Sequence, residues 1–220
     1  MEILPDKWNL IQMVKQAHEG KICLPEFQRD FVWPRDEVTD LLRSILRGYY
    51  IGSLLLLRSE VGNPPFAPIH LRGAKEGLGQ PEPYHLTLDG QQRLTSLIYA
   101  LTAPDLPLKG SSRRCFFFVD LGKQLDDPED DDIVIARTKG EWKQLDVPAE
   151  QYKYRLLPCT ALFTPNAFFQ WLMGYEAWAA ANDPAAHQQF KDDRQARWYA
   201  VINEFQNFQV PVVELPAVSD

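Results

Sequence analysis

The stretch YHLTLDGQQRLTSLIYAL, Tyr84 to Leu101, constrains the fold more than any other part of the chain. Tyr84 to Leu88 has strand composition. Asp89-Gly90 is a turn pair, and Leu94, Leu97, Ile98 and Leu101 then recur at helical spacing. A strand that passes through glycine straight into a helix leaves the first N–H groups of that helix without intrahelical partners. The helix dipole adds partial positive charge at the same place, which suits an anion such as phosphate. Gln91 and Gln92 bring neutral amide donors, and Arg93 brings a planar guanidinium fitted to bidentate phosphate contact. A purely architectural reading stands beside this one. Asp89 and Gln92 have capping-box spacing, in which Asp89 would accept from the Gln92 N–H and Gln92 would reach back. Capping does not account for Arg93, because a cation in the first turn opposes the dipole by roughly 0.3–1 kcal/mol.

The same alternation of elements is legible along the first half of the chain. Leu10, Met13, Val14 and Ala17 mark a first helix that stops at Gly20, and Lys21 to Leu24 follows as a short strand. Pro34 opens a second helix, with Asp36 and Glu37 in its first turn and Gly48 after its end. Ile51 to Leu57 reads as a buried strand, and residues 59–82, rich in proline and glycine, as a long surface loop. Cys115 to Leu121 is a core strand and Ile133 to Arg137 a weaker one. Pro165 to Ala181 and Ala185 to Phe205 are aromatic-rich helices, and Phe208 to Leu215 closes as a strand. The expectation is an α/β (α+β) fold, a mixed sheet flanked by helices with a more helical C-terminal part. Residues 1–125 hold the main domain, and 126–220 add an acidic loop, a helical segment and a closing strand that continue it.

Composition removes several function classes. A net charge of −7 argues against a stand-alone nucleic-acid binder held by phosphate contacts. Six of the acids lie in Asp126–Asp132, which reads as a solvated loop. Cys23, Cys115 and Cys159 are odd in number and widely spaced, so neither a disulfide framework nor a zinc site is expected, and a cytoplasmic, reducing compartment fits. No apolar run reaches the roughly 18 residues needed to span a bilayer. The start MEILPDKW lacks a signal-peptide layout, and the ending at ValSerAsp directly after an apolar strand suggests a piece of a longer protein. The four histidines have neither metal-ligand nor His-Asn-His spacing, and His85 reads as a packed, hydrogen-bonded residue. Walker, dinucleotide-binding and nucleophile-elbow motifs are absent. The aromatics of the last two helices read as core, with a base-stacking platform as the alternative.

A second polar element, PEFQRDFVW (Pro25 to Trp33), embeds Gln28 and Arg29 among aromatics. Arg29 could pair with a carboxylate, or could stand beside Arg93 as a two-arginine clamp on a polyphosphate. Taken in order, the Gln-Arg segment, the LLRSILRG helix, the IGSLLLL strand, the long loop and the DGQQR helix start resemble the DGQQR-motif family. That family forms the N-terminal domain of modification-dependent restriction and phage-defence enzymes and is more distantly similar to ParB/sulfiredoxin-like proteins. The resemblance spans Leu24 to Leu101. It implies an NTP-binding and NTP-hydrolysing regulatory domain, with DNA and a C-terminal nuclease domain as partners of the full-length protein. It also implies nucleotide contacts from Gln28, Arg29, Gly90, Gln91, Gln92 and Arg93, and catalytic roles for Asp89, Gln91 and Arg93. Mg²⁺ would accompany the nucleotide, Asp89 serving a metal-bound water or the turn. Gln91 stands where sulfiredoxin has cysteine, which excludes peroxiredoxin repair, and Gln92 stands where the ParB box has a second arginine. The alternatives are a non-catalytic module that grips DNA or a modified base in the same pocket, and a purely structural interaction domain.

Overall fold

The computed structural model describes residues 5–60 and 62–217; residues 1–4 and 218–220, on which the expectations about the chain's two ends partly rest, lie outside them. In chain order the elements are β1 (Pro5–Asn9), α1 (Leu10–His18), β2 (Ile22–Pro25), α2 (Arg35–Leu46), β3 (Leu54–Arg58), β4 (Pro68–Ile69), β5 (His85–Asp89) and α3 (Gln91–Thr102). There follow β6 (Cys115–Asp120), α4 (Leu121–Asp126), β7 (Val134–Thr138), α5 (Pro148–Tyr154), β8 (Leu156–Pro158), α6 (Pro165–Asn182), α7 (Pro184–Gln189), α8 (Gln195–Gln206) and β9 (Gln209–Leu215). The mixed α/β class expected from the sequence is the one observed.

Two sheets organise these elements. The first has strand order β1-β9-β3-β5-β2-β4, and the second β7-β6-β8. In the first sheet β5 runs parallel to β2 and antiparallel to β3, while β9 runs parallel to β3 and antiparallel to β1. The C-terminal strand therefore lies inside the sheet that carries the DGQQR turn. β9 is paired on both sides, so the chain must return past residue 205 before this sheet is complete.

The core is continuous from α1, α2 and α3 through the second sheet to α6 and α8. Trp198 is fully buried, 4.9 Å from the Tyr175 ring and 5.7 Å from Phe190, and its Nε1 donates to Leu121 O at 3.0 Å. Phe168, Trp171 and Tyr175 are buried with it, as the core reading of these aromatics expects, whereas Phe169 and Tyr199 face solvent.

Several boundaries differ from the sequence reading, each for a physical reason. The strand expected at Ile51 begins only at Leu54, because the carbonyls of Ile51 and Ser53 accept from the Arg93 guanidinium. Asp120 ends β6 by capping a new helix, accepting from the Gly122 and Lys123 N–H groups at 3.0 Å. A π-turn at Phe190–Arg194 interrupts the final helical run. The acidic run is exposed but also tethered: Asp132 lies 3.0 Å from Lys123 Nζ, Glu129 3.6 Å from Arg47 Nε and Asp131 3.5 Å from Arg43 Nη1. His85 is half-buried and within 3.1 Å of Glu214 Oε2, in keeping with a packed histidine.

Candidate functional site: the helix start at Gly90

Gly90 is the residue that turns β5 into α3. It has φ +91°, a left-handed conformation that side chains resist, and a Cβ there would lie 2.8 Å from Leu54 Cγ. The capping box is not formed. Gly90 itself occupies the N-cap, and no side chain caps the helix. The first turn of α3 borders a cleft of about 160 Å³ lined by Gln28, Arg29, Trp33, Leu88, Asp89, Gly90, Gln91, Gln92 and Arg93. Every residue of the expected nucleotide site lines this one cleft. Trp33 and Leu88 complete the wall; neither carries a distinct sequence signal, although Trp33 belongs to the PEFQRDFVW segment.

The side chains are engaged in a way that residue type alone does not reveal. Gln91 Nε2 donates to Arg29 O at 2.6 Å, and Gln92 Nε2 donates to Asp30 O at 3.0 Å. Gln92 Oε1 accepts from the Val32 N–H at 2.9 Å, and Gln28 Nε2 donates to Leu88 O at 2.9 Å. Both α3 glutamines are buried. Their amides hold the irregular segment between β2 and α2 against the helix start, giving that segment the backbone partners it lacks in secondary structure.

Arg93 has a similar inner role. Its Nη1 donates to Ile51 O and its Nη2 to Ser53 O, both at 2.8 Å, and Nη2 lies 3.4 Å from Asp89 Oδ2. A guanidinium carries five N–H donors, so three directed at the protein leave two for a ligand. Gly52 makes this possible: it has φ +85°, and a Cβ there would collide with Arg93 Nη1. The carbonyls and Asp89 offset the cost of a cation near a positive helix end, so Arg93 is explained without an anion.

Arg29 differs from Arg93. It is exposed, and among the described residues no carboxylate lies within 4.0 Å of it. The Asp89 carboxylate is 73% exposed and is the one acid among the residues lining the cleft. Cysteine chemistry is not at hand. Burial pushes the Cys23 thiol up to about 12 and the Cys115 thiol up to about 11, and raises Cys159 further.

Fold and cleft together define a mixed-sheet α/β domain built around an uncapped helix start. Residues 10–220 match the family model described as GmrSD restriction endonuclease, N-terminal domain, and the chain belongs to that family. The restriction-enzyme N-terminal domain implied by the resemblance is thereby confirmed. The chain is also 38% identical, over 181 residues, to an uncharacterized protein of Methanocaldococcus jannaschii. That match covers 77% of this chain and 31% of the relative, so the chain spans about a third of the relative's length. Among the described residues no helix is long and apolar enough to cross a membrane.

Proposed function

We propose that the chain is the nucleotide-binding regulatory domain of a restriction or phage-defence protein, taking the phosphates of a nucleoside triphosphate at the Gly90 helix start. The observation that carries this reading is the uncapped first turn of α3 opening into a cleft that also holds Arg29, a cation with no carboxylate partner among the described residues. At about 160 Å³ the cleft is smaller than the roughly 300–1,000 Å³ usual for whole small ligands. It therefore admits phosphate groups and leaves the nucleoside outside, beside Trp33 and Arg29.

Roles follow from what each group has free. Main-chain N–H groups of the first turn bind non-bridging oxygens. Arg29 adds exposed positive charge, and Arg93 adds its two remaining donors. Gln28, Gln91 and Gln92 shape the cleft by fixing its walls. Hydrolysis would be in-line attack of a water oxygen on the terminal phosphorus. The bond to the bridging oxygen breaks, and the products are a nucleoside diphosphate and inorganic phosphate, with the proton of water passing to the phosphate. Charge developing on the oxygens faces the helix start and the guanidinium groups. A Mg²⁺ shared between Asp89 and the phosphates would supply further charge neutralisation. In the full-length protein such a domain would govern a nuclease acting on DNA.

The test is a titration of the chain with nucleoside triphosphates and Mg²⁺, with phosphate release followed in parallel, for wild type and Arg29→Ala. Saturable binding lost in Arg29→Ala at unchanged melting temperature supports the proposal. DNA binding that depends on Arg29, with no triphosphate bound, would instead make the cleft a DNA-gripping module without turnover.

A further inference from the structure

The second sheet carries a charge arrangement opposite to that of the chain as a whole. Between α2, β7 and α5 lies a cavity of about 590 Å³, and beside it one of about 510 Å³ bounded by the 108–115 segment and the turn after β7. Both are lined by Arg35 and Asp36, so the two adjoin at the start of α2 and together make up the trough. Four of the five carboxylates in the trough are engaged by the protein, and the fifth, Asp36, is 91% exposed with Arg35 beside it. Glu141 lies 2.7 Å from Arg35 Nη1, Asp36 3.9 Å from Arg35 Nε, Asp131 3.5 Å from Arg43 and Asp132 3.0 Å from Lys123, while Asp120 caps α4.

Five cations in the trough have no such partner. Among the described residues, Lys109, Arg113, Arg137, Lys153 and Arg155 have no carboxylate within 4.0 Å. Arg155 follows α5 in the left-handed conformation, φ 55°, and is half-buried. Its Nε packs against Gly122, so any contact with an anion in the cavity falls to the terminal nitrogens of the guanidinium. Tyr154, 49% exposed, stands in the same wall, its ring 6.1 Å from that of Trp142.

From this we infer that the trough of the second sheet binds the phosphodiester backbone of a nucleic-acid strand, with Tyr154 offering a face to a base. Cations without a carboxylate partner, spread along two adjoining cavities, match a chain of phosphates better than a single one. Lys153 Nζ lies 5.2 Å from the Tyr154 ring centroid, so a base would stack on the opposite face of that ring. The site is separate from the Gly90 cleft, sharing no lining residue with it, and it stands whether or not a nucleotide binds there.

The experiment is fluorescence polarisation with labelled single- and double-stranded DNA of mixed sequence at several salt concentrations. It compares wild type, Arg137→Glu/Lys153→Glu, Lys109→Ala/Arg113→Ala and Arg29→Ala, each checked by circular dichroism and thermal melting. All four substituted side chains of the two trough variants are exposed, so their folds should persist. The expected result is DNA binding weakened at least tenfold in Arg137→Glu/Lys153→Glu. In the alanine pair the slope of log K against log salt should fall by about one for each phosphate that is no longer neutralised. Arg29→Ala should bind DNA as wild type does. Unchanged affinity and slope in both folded trough variants overturns the inference. So does DNA binding lost in Arg29→Ala alone, or competition by a mononucleotide as effective as that by an oligonucleotide.

Discussion

The Gly90 helix start and the trough of the second sheet both gather polar side chains, and they use them in opposite ways. At Gly90 the conspicuous residues are satisfied by the protein: Gln91 and Gln92 by the carbonyls of Arg29 and Asp30, Arg93 by those of Ile51 and Ser53. In the trough the conspicuous groups, Arg137, Lys153 and Arg155, have no acidic partner among the described residues. A strong motif can therefore be largely architectural in its side chains, so that the binding proposed for it rests on backbone N–H groups and on Arg29. A region without any motif can hold the more available charge.

The largest effect should come from breaking the satisfied side of this comparison. Gln92→Leu removes the partners of Asp30 O and the Val32 N–H, and should destabilise by about 1–3 kcal/mol for each group left unpaired and buried. Urea denaturation measures it, and a loss below about 0.5 kcal/mol, the range of an ordinary surface substitution, would mean that the segment between β2 and α2 does not depend on the glutamine.

Gly90→Ala comes next. Strain at φ +91° should lower stability by about 1–3 kcal/mol, with the contact against Leu54 adding to it. A thermal melt equal to that of wild type would show that the turn relaxes freely.

On the unpaired side, Arg137→Ala should leave stability within about 0.5 kcal/mol of wild type, since the side chain is exposed and, among the described residues, donates only to the neighbouring Ala136 O. A loss above about 1 kcal/mol would reveal a protein partner and erase the contrast between the regions.

An effect of comparable size concerns the ion pair between Arg35 and Glu141. Hydrogen bonding from Arg35, then from the Thr138 N–H, holds the Glu141 carboxyl down at about 2, against an ordinary 4.5. A depressed acid contributes stability that is present above pH 4.5 and is lost as pH falls toward 2. Because Glu141 is 41% exposed, solvent screening limits that contribution to a few tenths of a kcal/mol, up to about 1. Glu141→Gln should flatten the stability profile by that amount between pH 4.5 and 2; a profile unchanged in the variant would contradict the assignment.

Much of the first sheet is legible in the sequence because its elements carry local signals. Pro34 and Gly48 bracket α2, and Gly90 punctuates the passage from β5 to α3. What stays hidden depends on distant partners. Nothing near Ile51 shows that its carbonyl will accept from Arg93, so composition starts the strand at Ile51 where the fold starts it at Leu54. Likewise β1, α5 and β8 are short and gain their partners only from the tertiary fold. The cleft residues can be named from DGQQR and the Gln-Arg segment. Their division of labour cannot, because an amide is an equally good donor to a phosphate and to a loop carbonyl.

Backbone amide resonances of Gln91, Gln92 and Arg93, followed while the chain is titrated with a non-hydrolysable nucleoside triphosphate and Mg²⁺, probe the proposed anion site at the atoms said to form it. Saturable shifts are expected at these three amides and at Arg29, with Arg137 and Lys153 unmoved. Shifts confined to the trough, or none at the Gly90 turn at saturating triphosphate, would contradict it.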